Sequence, residues 1–286
     1  DFDYYEDGVR KPEQSKTYGD LFPSVAFSAM LGKVGLQLGY SADIRRPSYD
    51  QLRSNINYDN RYTYEGGNPF LQPTKSHNVN FAASYKWLMF SAGFSHITDP
   101  IIQYGKTYKD DPAVALFTEV NGEAYDNVYA SLNLRPTFGF WHPSLMLGVQ
   151  KQWFKMDVYG HNPLDNPLAT FRFDNTFDAK LCEISFNMSC TTTGAEENYY
   201  MRKPSFRADL SLYKSFLKDK LSLSFYVADL FKTSKNSVVT YYGAMRESVY
   251  EPKALRNINL TVRYKFNVGS NKYKGTGAGA GQKSRL

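Results

Sequence analysis

The stretch Val34-Gly35-Leu36-Gln37-Leu38-Gly39-Tyr40-Ser41-Ala42-Asp43-Ile44 carries the reading of the fold. Its even positions are apolar and its odd ones are polar or small. Successive side chains of an extended chain point to opposite faces, so a period of two predicts a strand with one greasy face and one wet face. The same alternation sets Phe206, Ala208, Leu210 and Leu212 against Arg207, Asp209, Ser211 and Tyr213. It returns in Ile258, Leu260, Val262, Tyr264 and Phe266 against Asn257, Asn259, Thr261, Arg263 and Lys265. Further strands are expected over 23–31, 78–86, 88–103, 124–134, 145–158, 168–177, 181–191 and 221–231, which makes eleven strands and no convincing helix.

The connections alternate in length. Short turns are expected at Gly32-Lys33, near Lys86-Trp87, and over 135–143, 178–180 and 217–220. Long polar loops fall between them, over 45–77, 104–112, 159–167, 192–203 and 232–253. In an up-and-down antiparallel sheet this order puts every short turn at one edge and every long loop at the other. A soluble sandwich with Greek-key crossovers has no cause to sort its loops so. An outer-membrane barrel does, with short periplasmic turns and long extracellular loops. The longest strongly apolar stretches, such as 87–90 and 113–117, fall far short of the ~20 residues of a membrane-spanning helix, whereas tilted strands cross in ~9–11 residues. The fold class expected is therefore all-β, an antiparallel up-and-down transmembrane β-barrel in the cell outer membrane, its long loops extracellular and its C-terminus periplasmic.

Composition agrees. The 286 residues include 23 Tyr, 20 Phe and 3 Trp, an aromatic excess that a fold must explain. Tyr85 and Trp87 flank one short turn, Phe138, Phe140 and Trp141 lie in another, and Tyr264 and Phe266 close the last strand. Such rings settle at the boundary of hydrocarbon and headgroups. Rings that merely filled a soluble core would show no preference for one edge.

An odd number of strands does not suit a bacterial single-chain barrel, which must close so that no backbone edge faces lipid. Eleven strands are the count expected of the C-terminal half of a barrel of about 22. The expected organisation is an extracellular loop over 1–20 following an upstream strand, a partial barrel over 21–267, and a flexible, basic, Gly-rich tail over 268–286.

Several function classes drop out. The net charge of +6 falls to +2 once Lys272, Lys274, Lys283 and Arg285 of the tail are set aside, and no basic helix or aromatic-basic motif points to nucleic acid. Cys182 and Cys190, eight residues apart in one extended segment, would lie about 27 Å apart and cannot pair. His77, His96, His142 and His161 match no two-His metal spacing, and no cofactor is expected. The acidic segment Asp3-Tyr4-Tyr5-Glu6-Asp7-Gly8 has Tyr5 at a calcium-ligand position and Gln14 where a bidentate Glu belongs. Ser95, His96 and Asp99 are the one cluster of hydrolase type, but adjacent strand residues face opposite sides and cannot form a nucleophile–base pair. No enzymatic activity is expected.

Two segments carry a resemblance. Arg46-Pro47-Ser48-Tyr49-Asp50-Gln51-Leu52, followed by Gly67-Asn68-Pro69-Phe70-Leu71-Gln72-Pro73, resembles the paired signature of TonB-dependent receptor barrels, Arg-Pro-x-aromatic-x-x-Leu and Gly-Asn-Pro-x-Leu-x-Pro. More closely, the chain is similar to the outer-membrane β-barrel family of Bacteroidota, in its ending Arg263-Tyr264-Lys265-Phe266-Asn267 as well. Thr74 departs from the Glu usual after that second motif. The resemblance implies uptake of a nutrient or chelate, with outer-membrane lipid, a missing N-terminal half and plug, the TonB complex and a surface lipoprotein as partners. It assigns the signature residues Arg46, Pro47, Tyr49, Leu52, Gly67, Asn68, Pro69, Leu71 and Pro73 a structural role.

Prolines fix φ and lack a donor, so Pro47, Pro69 and Pro73 shape their loop rather than leave it slack. Tyr58, Arg61, Tyr62 and Tyr64, with Tyr49, are the better ligand candidates, since stacking rings with hydrogen-bonding tips suit sugars, peptides and chelates alike. Two other readings stand beside import: a plug-less outer-membrane barrel or surface-binding protein, and a soluble antiparallel β ligand-binding protein.

Overall fold

The computed structural model describes residues 3, 5–12, 15, 19, 21–109, 111–156, 162–234, 236–243, 245–251 and 256–266. The tail over 268–286, nine of residues 1–20, and His161 lie outside them. Eleven strands form one antiparallel sheet: β1 (Ser24–Leu31), β2 (Val34–Arg45), β3 (Thr74–Tyr85), β4 (Leu88–Thr98), β5 (Tyr125–Leu134), β6 (Trp141–Gln152), β7 (Leu168–Asp178), β8 (Glu183–Thr191), β9 (Ser205–Phe216), β10 (Leu221–Ala228) and β11 (Asn257–Tyr264). Each pairs with the next in order, so the sheet is an up-and-down meander whose short turns share one edge. Among the described residues β1 and β11 pair on one side only, leaving the barrel open.

Register makes the alternation of single strands a property of the whole sheet. Leu38 lies opposite Phe27 and Phe81, and Phe94 opposite Val79 and Val128. Farther on, Leu147 lies opposite Leu132 and Phe171, Leu210 opposite Phe186 and Val227, and Leu260 opposite Phe225. One face is therefore apolar from edge to edge, and a slip of one residue in any strand would turn its apolar set over. The other face is wet and cross-linked. Asn78 Nδ2 donates to Asp43 Oδ2 (2.9 Å), Ser95 Oγ to Asn78 Oδ1 (2.7 Å) and Tyr129 OH to Asn80 Oδ1 (3.0 Å). Gly93 permits the last of these, because a Cβ there would sit 2.4 Å from the Tyr129 ring. Arg207 Nε donates to both carboxylate oxygens of Asp209. The cross-strand pairs among these contribute roughly 0.2–1 kcal/mol each, and Arg207–Asp209 braces a single strand.

Several polar groups on the apolar face are paired with one another. Trp141 Nε1 donates to Oδ1 of the buried Asn175 (3.0 Å), whose Nδ2 donates to the Phe186 carbonyl. His96 Nδ1 lies 2.7 Å from Asp126 Oδ1, and Tyr40 OH 2.8 Å from His77 Nδ1. Without partners in hydrocarbon each would cost several kcal/mol. At the short-turn edge Trp141 stacks on Phe177 and Phe138, Tyr264 meets Phe266 edge-on, and Lys86 reaches over the Tyr85 ring.

The structure differs from the sequence reading in the connections. The strand expected over 88–103 stops at Thr98, because Asp99 takes a φ of +50° and Pro100 offers no ladder donor. The strand expected over 145–158 runs instead from Trp141 to Gln152. A four-residue helix, α1 (Tyr49–Leu52), starts at Ser48 with a capping box: Ser48 N donates to Gln51 Oε1, and Gln51 N to Ser48 Oγ. The long loops also carry strands of their own, among them Ile101–Tyr108 where a bare loop from 104 was expected.

Candidate functional site

The long-loop edge is covered by two four-stranded sheets. One orders Ile56–Asn60, Thr63–Gly66, Asp111–Asn121 and Ile101–Tyr108, and the other Gly194–Glu196, Tyr199–Met201, Asn236–Tyr242 and Met245–Glu251. In the first, 63–65 pair in parallel with 115–117, so the β2–β3 loop is knitted into the β4–β5 loop. The two sheets meet where Phe117 packs edge-on against Tyr242 at 5.0 Å.

The paired signature sits at this knot. Leu52, Leu71 and Pro73 are buried, Leu71 completely, while Tyr49 is 82% exposed, Arg46 is exposed, and Pro47 and Pro69 are half-buried. Asn68 joins three strands of chain: its N donates to the Gln51 carbonyl, its Nδ2 to the Glu119 carbonyl (3.0 Å), and its Oδ1 accepts from Phe70 N (3.0 Å). Gly67 faces the carbonyl oxygens of Arg53, Gln51 and Asp50, which a Cβ would approach to 2.4, 2.7 and 2.9 Å. Only glycine fits there without moving backbone. Gln51 Nε2 donates to Glu119 Oε2, and burial raises the Glu119 carboxyl above the usual range despite that hydrogen bond and the charge of Arg45. Thr74, the departure from the signature, is buried and donates from Oγ1 to the Asp99 carbonyl (3.0 Å) while accepting from Ile101 N (3.2 Å). A hydroxyl thus ties β3 to the start of the next loop.

Of the ligand candidates, Tyr58 and Tyr64 come together, with ring centroids 5.6 Å apart and edge-on. Tyr64 also stacks on Tyr108 at 4.4 Å, a residue that no sequence pattern in its loop marks. The Arg61 guanidinium lies over the neighbouring Tyr62 ring at 4.4 Å and donates to its hydroxyl. Tyr58 and Tyr62 are more than half exposed, so the first sheet carries a tyrosine ladder with open faces.

A second feature lies deeper. Phe154, Leu164 and Ala195 form a buried knot with Tyr125, Tyr200 and Tyr241 packed against it. Gln152 braces it, donating to the carbonyls of Leu164 and Glu197 and accepting from Glu197 N, each at 2.8 Å. Beside the knot opens a hollow of about 660 Å³ lined by Tyr104, Trp153, Phe154, Glu123, Lys155 and Asp165 among others. Aromatic walls with a few charged groups are the makeup of small-ligand sites. On the hairpin nearby, burial and Glu196 push the Tyr199 phenol up to about 12. Ser95 and His96 point to opposite faces, Ser95 bonding Asn78 and His96 pairing with Asp126. Among the described residues no three His, Cys, Asp or Glu side chains are grouped to hold a metal ion.

A sequence profile described as the outer membrane protein beta-barrel family matches residues 4–264. The chain belongs to that family. No curated protein sequence matches it. Among solved structures, the family member is similar to the copper transporter OprC at 16% identity, covering 90% of this chain and 41% of that one with a TM-score of 0.60. It is also similar to the siderophore receptor PirA of Pseudomonas aeruginosa at 16% identity, 74% and 39% coverage and a TM-score of 0.57. A variant of the ferric enterobactin receptor PfeA of Pseudomonas aeruginosa aligns at 13% identity, 84% and 39% coverage, TM-score 0.51. At these identities the likeness is one of fold. The outer-membrane barrel described here spans about two-fifths of the length of each of the three.

Proposed function

We propose that this chain is the C-terminal half of a TonB-dependent receptor-type barrel from a member of the Bacteroidota, taking up a nutrient or chelate. The observation that carries the reading is the open eleven-stranded meander with one edge capped by folded loops, similar in fold to part of a siderophore receptor and of a copper transporter. In this reading the wet face lines the lumen, the apolar face meets outer-membrane lipid, the long loops are extracellular and the C-terminus is periplasmic. An upstream half-barrel and plug complete the machine, the TonB complex powers it through that part, and a surface lipoprotein partners its mouth.

Arg46, Pro47, Tyr49, Leu52, Gly67, Asn68, Pro69, Leu71 and Pro73 act as the structural knot of the canopy, a role supported by the buried Leu71 and the three bonds of Asn68. Tyr58, Arg61, Tyr62 and Tyr64 meet the ligand. The test is uptake by cells carrying the full-length protein. Accumulation of a captured ligand that collapses on dissipating the proton-motive force, and falls when Tyr58 and Tyr62 are both changed to Ala, supports import. Binding without energy-dependent accumulation would instead mean a passive barrel or a surface binder.

A further inference from the structure

The hollow of about 660 Å³ beside the Phe154 knot lies between two connections of the canopy. Tyr104, Val120 and Glu123 line it from the β4–β5 connection, and Trp153, Lys155 and Asp165 from the β6–β7 connection. A third connection holds the walls in place. Gly243 lies flat against the Tyr104 ring, where any side chain would collide, and its N donates to Met156 Sδ at 3.0 Å.

The amides of the lining are engaged in the fold. Asn121 Nδ2 donates to the carbonyls of Gln72 and Asp99, and its Oδ1 accepts from Gln72 N. Asn162 Nδ2 donates to the Phe154 carbonyl, and its Oδ1 accepts from Leu164 N. The charged groups stand otherwise. Among the described residues, the side chains of Glu123, Lys155 and Asp165 make no ion pair or hydrogen bond. Two negative charges and one positive, a net of −1, therefore line an aromatic-walled hollow with no protein partner of their own.

A ligand that displaces water from the hollow has to bring the opposite charges itself, because a desolvated charge left unpaired is costly. A neutral saccharide brings none, and the amides suited to its hydroxyls are already bonded. An anionic chelate meets Lys155 but is repelled by two carboxylates. A short peptide with one basic side chain brings an α-carboxylate, an α-ammonium and a second cation, one group for each charge of the lining.

We propose that this hollow binds a short cationic peptide, its α-carboxylate on Lys155, its two cations on Glu123 and Asp165, and an apolar side chain against Tyr104 and Trp153. The assignment rests on the reading above of the canopy as the mouth of a receptor. Tyr104 stands four residues before Tyr108 on the same face of one strand, roughly 14 Å along it, so the tyrosine ladder leads toward the hollow.

The test measures binding to the full-length protein in mild detergent by isothermal titration calorimetry. The probes are the tripeptide Ala-Phe-Lys, its C-terminal amide, Ala-Phe-Glu, maltotriose and a ferric tris-catecholate. The variants are Lys155→Gln, the pair Glu123→Gln with Asp165→Asn, and Lys203→Gln as a canopy lysine outside the lining. Heat-modifiable gel mobility confirms that each is folded. Ala-Phe-Lys is expected to bind the wild type and Lys203→Gln alike, and to bind more tightly than Ala-Phe-Glu. Lys155→Gln should weaken Ala-Phe-Lys about fivefold, the upper end for a solvent-accessible ion pair, and leave the amide unchanged. The carboxylate pair variant should weaken both. Equal effects of Lys155→Gln on the acid and the amide, or none on either, overturn the site. Tighter binding of maltotriose or the catecholate than of any peptide overturns the peptide assignment. In cells, energy-dependent accumulation of a ligand indifferent to all three charges overturns the hollow and leaves import standing, whereas charge-dependent peptide capture without accumulation upholds the hollow and overturns import.

Discussion

Leu210 and Ser211 are neighbours in sequence and occupy opposite environments. Leu210, near the middle of β9, has Phe186 and Val227 as register partners, whereas Ser211 has Ser185 and Tyr226. If the apolar face meets hydrocarbon, Leu210→Arg puts a guanidinium near the bilayer midplane and is expected to cost about 2–4 kcal/mol. That is a loss of roughly 30- to 1000-fold in the folding equilibrium. Ser211→Arg adds a cation to a wet face that already holds Arg207 and Asp209, and is expected to change stability by about 0.5 kcal/mol or less. The assay is urea titration of the full-length protein folded into short-chain lipid vesicles, followed by heat-modifiable gel mobility. Equal costs for the two variants, or a larger cost for Ser211→Arg, would refute the assignment of faces, and with it the argument from register.

Three further outcomes follow from the canopy. Gly67→Ala is expected to cost about 1–3 kcal/mol locally, because the new methyl meets three backbone oxygens rather than a flexible side chain; faster hydrogen exchange at Asn68 N would show it, and unchanged exchange would contradict it. Because burial raises the Glu119 pKa above the ordinary carboxyl value of 4.5, the folded loop binds more protons than the unfolded one in the window above that value, so local stability rises as pH falls through the window and is lost as pH climbs out of it. Glu119→Gln should flatten this dependence in hydrogen exchange measured across the window, and a profile identical to wild type would argue against it. Tyr108→Ala removes the inner ring of the Tyr58–Tyr64–Tyr108 ladder and should weaken ligand capture by the full-length protein while leaving its folding into lipid unchanged; capture at wild-type level would place the ligand elsewhere.

The membrane strands were legible because each is decided by its own alternation. Val34–Ile44 declares its two faces with no help from neighbours, and its register with β1 and β3 follows from matching apolar sets. The canopy was not legible for the opposite reason. Thr63–Gly66 becomes a strand only through pairing with 111–121 of a different loop and with 56–60, contacts that leave no periodic trace in four residues. The break at Asp99-Pro100 is masked in the sequence by the apolar run that continues through Ile101 and Ile102, although the Pro is a visible signal. Within the site, Asn68 and Gly67 could be singled out from their motif, but Glu119 and Tyr108, which complete the knot and the ladder, lie 51 and 44 residues away from Asn68 and Tyr64. Nothing local marks them.

The parallel pairing of 63–65 with 115–117 makes the loops inheritable in pairs. Exchanging the β2–β3 loop alone between related barrels would strip the hairpin over 101–121 of its outer neighbour, and the reverse exchange would leave Thr63–Gly66 without a sheet to join. The hairpins around 194–201 and 236–251 are yoked in the same way. Designed chimeras of this barrel should therefore move two cassettes, 46–73 with 99–124 and 192–204 with 229–256, each transplanted whole, and natural diversification of its mouth is expected to have run along the same seams.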